Sequence, residues 1–159
     1  AARGDVELTI AEAALMFASR FATLADRSKA PKPVQPSDRR RAVAAALWLD
    51  AHAHEDVALE RIATEVGLSP FHFLRIFGAV LGVTPHQYLV RCRLRRAAAL
   101  LADRGRSITA IAYEVGFADV SNFVRTFGRA AGVSPAKFRS APRDHRKILQ
   151  DRIAAPRSG

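Results

Sequence analysis

The sequence predicts an all-α fold: two helix-turn-helix subdomains with a long helix between them, preceded by an N-terminal helix and a Pro-rich linker. Three observations predict it. Apolar residues recur at spacings of three and four. Ser/Thr-Pro pairs mark helix starts along the chain. One block of sequence occurs twice. No stretch shows the sustained period-two alternation of a half-buried strand.

The first helix is expected over residues 9–25. Ile10, Ala14, Phe17, Phe21 and Leu24 form one apolar stripe. Thr9 can cap it, with Glu12 completing a capping box. Such a helix cannot bury its stripe alone, so it packs against the rest of the chain or against a partner. Ser28 to Ser37 carries Pro31, Pro33 and Pro36 and reads as an extended linker and domain boundary.

Asp38 is expected to cap a helix running to about Ala53, and another helix runs from Leu59 to a stop at Gly67. Ser69-Pro70, Thr84-Pro85 and Ser134-Pro135 each put a capping hydroxyl before a proline at the first helical position. Helices follow from Pro70 to Leu81, Pro85 to Asp103 and Pro135 to Ser140. Ser107 and Asp119 cap two more, ending near Val115 and Ala131. In the tail, Asp144 to Arg152 can form a last helix with no evident role.

The duplication is the main feature. Ile62 to Leu68 matches Ile111 to Phe117 at an offset of 49, with five of seven residues identical. Phe73 to Pro85 matches Phe123 to Pro135 at an offset of 50, with seven of thirteen identical. In each copy a helix ends at a glycine, Gly67 or Gly116, where the turn needs a left-handed residue. A second helix starts a few residues later, which makes a helix-turn-helix. In that motif the second helix enters the major groove.

The second helices divide into faces. Phe73, Phe77 and Val80 are expected inward in the first copy, and Phe123, Phe127 and Ala130 in the second. Phe71, His72, Leu74 and Arg75 face out in the first; Ser121, Asn122, Arg125 and Arg129 face out in the second. Arg75 and Arg125 thus recur at one outward position. Arginine can pair with guanine O6 and N7, and Asn122 could pair with adenine. Phe71 or Val120 could touch thymine methyls. Plainer readings stand beside these. Phe71 can equally pack between helices, Leu74 can be a partly buried contact, and His72 an ordinary surface residue. A lone outward arginine is usually an ion-pair residue, but its recurrence in both copies points to DNA.

Composition sets limits on function. The chain has 159 residues, 25 Lys+Arg against 15 Asp+Glu, a net charge of +10 and one cysteine. A lone cysteine excludes a disulfide framework and a Cys-rich zinc cage. His52 and His54 lie on different sides of a helix and Cys92 is remote, so no metal quartet emerges. The apolar run Ala42 to Leu49 falls far short of the roughly 18 residues of a membrane span. Ala1 to Glu7 lacks the order of a signal peptide, and the start without methionine suggests a piece of a longer protein. The basic excess suits nucleic acid, an anionic membrane surface or an acidic protein. Residues 1–36 carry 5 basic and 4 acidic side chains, 37–104 carry 10 and 7, and 105–159 carry 10 and 4. Charge interspersed with apolar positions indicates a folded basic surface rather than a polybasic tail.

From Arg39 to Arg139 the chain resembles the AraC/XylS-type transcriptional regulators. The resemblance rests first on Ile62-Ala63, Gly67-Leu68-Ser69-Pro70 and Phe73-x-Arg75-x-Phe77. Tyr88-Leu89, Arg93-Leu94 and Ala97 carry it between the copies. In the second copy Ile111-Ala112, Gly116-Phe117, Asp119-x-Ser121-x-Phe123-x-Arg125-x-Phe127 and Gly132-Val133-Ser134-Pro135-x-x-Phe138-Arg139 carry it. Phe138 departs from the usual tyrosine, and Ala58 from the usual Ser/Thr cap.

The resemblance implies two helix-turn-helix subdomains, residues 38–84 and 105–141, joined by one connecting helix within 85–104. Residues 1–27 would then be the remnant of an effector or dimerisation domain, 28–37 the linker and 142–159 a basic tail. It implies base-edge roles for Phe71, His72, Leu74, Arg75, Val120, Ser121, Asn122 and Arg125. It implies phosphate roles for Thr84, Gln87, Ser134, Lys137 and Arg139. Arg93 is expected to be a structural ion-pair residue. The implied partner is double-stranded promoter DNA, with RNA polymerase as a further candidate. An effector would bind a domain outside this chain, and the Thr9–Ala25 helix could form a homodimer. No cofactor, metal or membrane is expected, and the setting is the bacterial cytoplasm at the nucleoid.

Two other functions compete with DNA reading. An alkyl-transfer DNA-repair enzyme can carry such a reader, but it needs an activated cysteine. Cys92 lies within the connecting helix, and no G-x-S-x-G, P-loop or G-x-G-x-x-G occurs. A basic protein-interaction module explains the charge but not the duplicated arginines. The sequence therefore favours a non-enzymatic, sequence-specific DNA reader.

Overall fold

The computed structural model describes residues 13–14 and 34–154. Most of the expected Thr9–Ala25 helix and of the linker lies outside them. The described residues contain no strand. They form two compact units, with the division falling between Leu89 and Val90. Residues 53–55 belong with the later unit.

The earlier unit holds α1 (Pro36–Ala51), α2 (Leu59–Glu65) and α3 (Pro70–Leu81). The start of α1 corrects one expectation. Gln35 occupies the N-cap without a side-chain bond, Pro36 opens the helix, and Asp38 sits in the first turn. Proline presets the helical φ and has no N–H to satisfy, so it starts the helix ahead of the expected cap. An aspartate in the first turn still favours the helix through the macrodipole. The far end stops at Ala51 rather than Ala53. There the Trp48 carbonyl accepts from the His52 backbone N–H at 3.0 Å and lies 2.8 Å from His52 Nδ1.

Ala58 caps α2 without a side-chain bond, as its methyl dictates. The helix closes with Gly67 N–H donating to Thr64 O and Leu68 N–H to Ala63 O. This is a Schellman closure around Gly67 at φ +65°. Ser69 then caps α3 by accepting from His72 N–H at 3.3 Å. The core is Ala42, Ala45, Leu49, Leu59, Ile62, Phe73, Ile76 and Phe77, all buried. Phe77 meets Phe73 and Tyr88 edge-on.

The helix α4 (Pro85–Leu100) is shorter than expected. Its last turn tightens: Ala102 N–H donates to Ala99 O and Asp103 N–H to Leu100 O. Such i→i−3 bonds satisfy end carbonyls without extending an α-helix. Asp103 Oδ1 then accepts from Gly105 N–H at 2.9 Å, which turns the chain away.

The later unit adds α5 (Ile108–Glu114), α6 (Val120–Ala131), α7 (Pro135–Ser140) and α8 (Arg143–Ala154). It repeats the closure of the earlier unit: Gly116 N–H donates to Tyr113 O and Phe117 N–H to Ala112 O. Phe117, Phe123, Phe127 and Phe138 form a chain of rings with successive centroids 5.2, 5.7 and 5.3 Å apart. The tail finds its place here. Helix α8 packs on α6 and α7 and buries Leu149 and Ile153.

Arg93 on α4 is 1% exposed. Its Nε donates to Ala53 O at 2.7 Å and its Nη2 to Glu55 O at 2.9 Å. Its guanidinium also lies 6.0 Å from the Phe117 ring centroid. A buried guanidinium needs such acceptors, and here backbone carbonyls supply them. Cys92 is buried beside it in sequence.

Candidate nucleic-acid interface

Helices α3 and α6 hold the matched outward residues. Each is fixed at its start by a side-chain cap. Asp119 Oδ1 accepts from Ser121 N–H at 3.2 Å and Oδ2 from Asn122 N–H at 2.8 Å. The Ser69 cap does the same for α3 with one bond. A capped first turn holds the outward residues in a defined direction.

The faces fall nearly as expected. Phe73, Phe77, Phe123 and Phe127 are buried. Val80 and Ala130 are only half-buried, and Ile76 and Ala131 complete the inward stripes instead. With 3.6 residues per turn, the stripe drifts, and the tighter three-residue spacing wins in α3.

On α3, Arg75 is exposed, Leu74 half-buried and Phe71 40% exposed. Phe71 therefore stands on the surface rather than between helices. His72 is half-buried, and its Nε2 has no hydrogen-bond partner. That atom lies 3.8 Å from Asp38 Oδ2, in the first turn of α1. On α6, Ser121 and Arg125 are exposed, and Val120 and Asn122 half-buried. Arg125 Nη2 donates to Asn122 Oδ1 at 3.2 Å, and Thr126 Oγ1 donates to the same oxygen at 3.3 Å. Sequence reasoning missed Thr126. Its only signal was a position one turn beyond Asn122.

The expected phosphate residues start α4 and α7. Thr84 and Gln87 form a reciprocal box: Gln87 N–H donates to Thr84 Oγ1 at 3.2 Å, and Thr84 N–H to Gln87 Oε1 at 3.1 Å. Ser134 Oγ accepts from Lys137 N–H at 3.3 Å. In both caps the hydroxyl proton remains available to an anion. Lys137 is exposed. Arg139 is half-buried, with Nε and Nη2 buried and unpartnered. Among the described residues no group of three or more His, Cys, Asp or Glu could hold a metal. None of their helices is long and apolar enough to cross a membrane.

The chain is similar to known DNA-binding regulators. The family described as "Helix-turn-helix domain" matches residues 62–141, half of the chain. The activator RhaS of Salmonella arizonae is 38% identical over 109 residues, which are 69% of this chain and 36% of that protein. A transcriptional regulator from Chromobacterium violaceum, described as having an AraC-type DNA-binding domain, superposes with TM-score 0.61 at 27% identity. That match covers 68% of this chain and 99% of that one. The DNA-binding domain of AdpA, solved with a target DNA, superposes with TM-score 0.60 at 30% identity, covering 67% of this chain and 96% of that one. The chain spans about a third of the length of the curated relatives it matches. It belongs to the AraC-type family of helix-turn-helix DNA-binding domains.

Proposed function

We propose that this chain is the reading part of a sequence-specific transcriptional regulator. It binds double-stranded promoter DNA and presents α3 and α6 to successive major-groove segments. One observation carries the reading: Arg75 and Arg125 occupy the same exposed position on two capped, duplicated helices. Arg75 and Arg125 read guanine edges. Phe71, Leu74, Val120 and Ser121 supply apolar and hydroxyl contacts around them. His72 belongs to the outward face of α3, at its edge near α1, and Asn122 to the outward face of α6. Thr84, Gln87, Ser134, Lys137 and Arg139 hold phosphates and fix the register. The same reading divides the chain into two reading units, residues 38–84 and 105–141, around a connecting helix within 85–104. The proposal extends to an effector bound outside this chain, contact with RNA polymerase, a homodimer through residues 9–25 and a place at the nucleoid.

Binding isotherms test the proposal. Affinity for a selected duplex should fall with salt by a log–log slope of about −0.9 per phosphate contact. Arg75→Ala and Arg125→Ala should each cost about 1–3 kcal/mol and relax preference at different base pairs. Undiminished discrimination in both variants contradicts the assignment of these arginines. A flat salt response contradicts DNA as the partner.

A further inference from the structure

The two recognition helices hold their outward arginines differently. Asn122 Oδ1 accepts from both Arg125 Nη2 and Thr126 Oγ1. A carboxamide oxygen has two lone pairs, so both are engaged. A bidentate grip on adenine needs that oxygen as the acceptor for the N6 amino group, so it is closed to Asn122 in this arrangement. Asn122 is itself anchored by its backbone N–H on Asp119 Oδ2. Nη2 carries two hydrogens. One goes to Asn122, leaving the other, with Nη1, for guanine O6 and N7.

In α3 the matched positions are His72 and Ile76. Ile76 is buried and has no hydroxyl, and His72 Nε2 lies near Asp38. Among the described residues, no hydrogen bond from Arg75 to His72 parallels the bond from Arg125 to Asn122. A long side chain loses more freedom on binding when nothing holds it beforehand.

We infer that Asn122 and Thr126 are positioning residues that preset Arg125 for its base, so that α6 discriminates more sharply than α3. The inference rests on the base-reading role proposed for Arg125. It assigns a role to Thr126, and it makes Asn122 act on specificity through Arg125 rather than through adenine.

The test uses the full chain, the duplex recovered by selection from random sequence, and every single-base-pair variant of that duplex. Arg125→Ala first identifies the base pair that Arg125 reads. At that base pair, Asn122→Ala and Thr126→Val should each lower discrimination about three- to tenfold, the net worth of roughly one hydrogen bond. Thr126→Ser, which keeps the hydroxyl, should restore it. In an Arg125→Ala background both effects should vanish, and preference at the Arg75 base pair should stay unchanged throughout. In the wild type, changing the Arg125 base pair should weaken binding more than changing the Arg75 base pair. An Asn122→Ala loss that persists without Arg125 overturns the inference, because Asn122 then touches DNA itself. Unaltered discrimination in Thr126→Val, or equal sensitivity at the two base pairs, overturns it as well. If Arg125→Ala relaxes no base pair, the underlying reading of Arg125 fails instead, and the inference falls with it.

Discussion

Gly67 and Gly116 close the first helix of each unit with the same two backbone bonds, but their surroundings differ. A Cβ on Gly67 would meet nothing within 4 Å, so only its φ of +65° resists a side chain. A Cβ on Gly116, at φ +98°, would lie 2.9 Å from both Ala53 O and Arg93 Nε. Gly67→Ala should therefore cost about 1–2 kcal/mol, the left-handed penalty alone. Gly116→Ala adds overpacking of about 1–3 kcal/mol against a rigid carbonyl and a buried guanidinium. Urea unfolding monitored by circular dichroism checks the difference, and equal losses would show that the close approach carries no energy. Both glycines were legible because the duplication repeats them. The crowding at Gly116 was not. The atoms it meets are a backbone carbonyl and Arg93, whose acceptors are also carbonyls, and backbone atoms leave no mark in sequence. For the same reason the main-chain oxygens of Ala53 and Glu55 that accept from Arg93 were not legible.

At the scale of elements, helix starts were read better than helix ends. Ser69, Ser107, Asp119 and Ser134 each accept a backbone N–H at the predicted cap. A capping side chain announces its own chemistry, while α1 and α4 end through carbonyl geometry that many sequences can adopt. At the start of α1, Asp38 and Pro36 are both valid signals, and the earlier one prevails. Asp119 holds two N–H groups of α6, so Asp119→Ala should destabilise the later unit by about 0.5–2 kcal/mol. It should also blunt base discrimination at α6 more than at α3, read by competition binding; an equal loss at both helices would mean the cap supports stability only. The tail had no role in sequence, because Leu149 and Ile153 are too few for a clear stripe. Packed on α6 and α7, they join the aromatic core. Leu149→Ala should lower stability by about 2–5 kcal/mol, measured by thermal or urea unfolding. A loss below about 0.5 kcal/mol, typical of surface sites, would mean that α8 is a surface appendage.

The whole molecule puts an excess of ten positive charges on a chain whose recognisable part is a duplicated helix-turn-helix unit. The twofold occurrence of one unit was plain in the sequence, and so was the recurrence of its outward arginine. The unequal support given to those arginines was not, since it depends on Asn122 and Thr126 meeting across one helical turn. The central claim is that both units read bases. Selection of bound duplexes from a random pool, repeated with Arg75→Ala and Arg125→Ala, tests it most directly. The account predicts two conserved boxes with centres about one helical turn, roughly 10–10.5 base pairs, apart. Each variant should erase preference in a different box. A single box, or a motif that survives both substitutions intact, would contradict it.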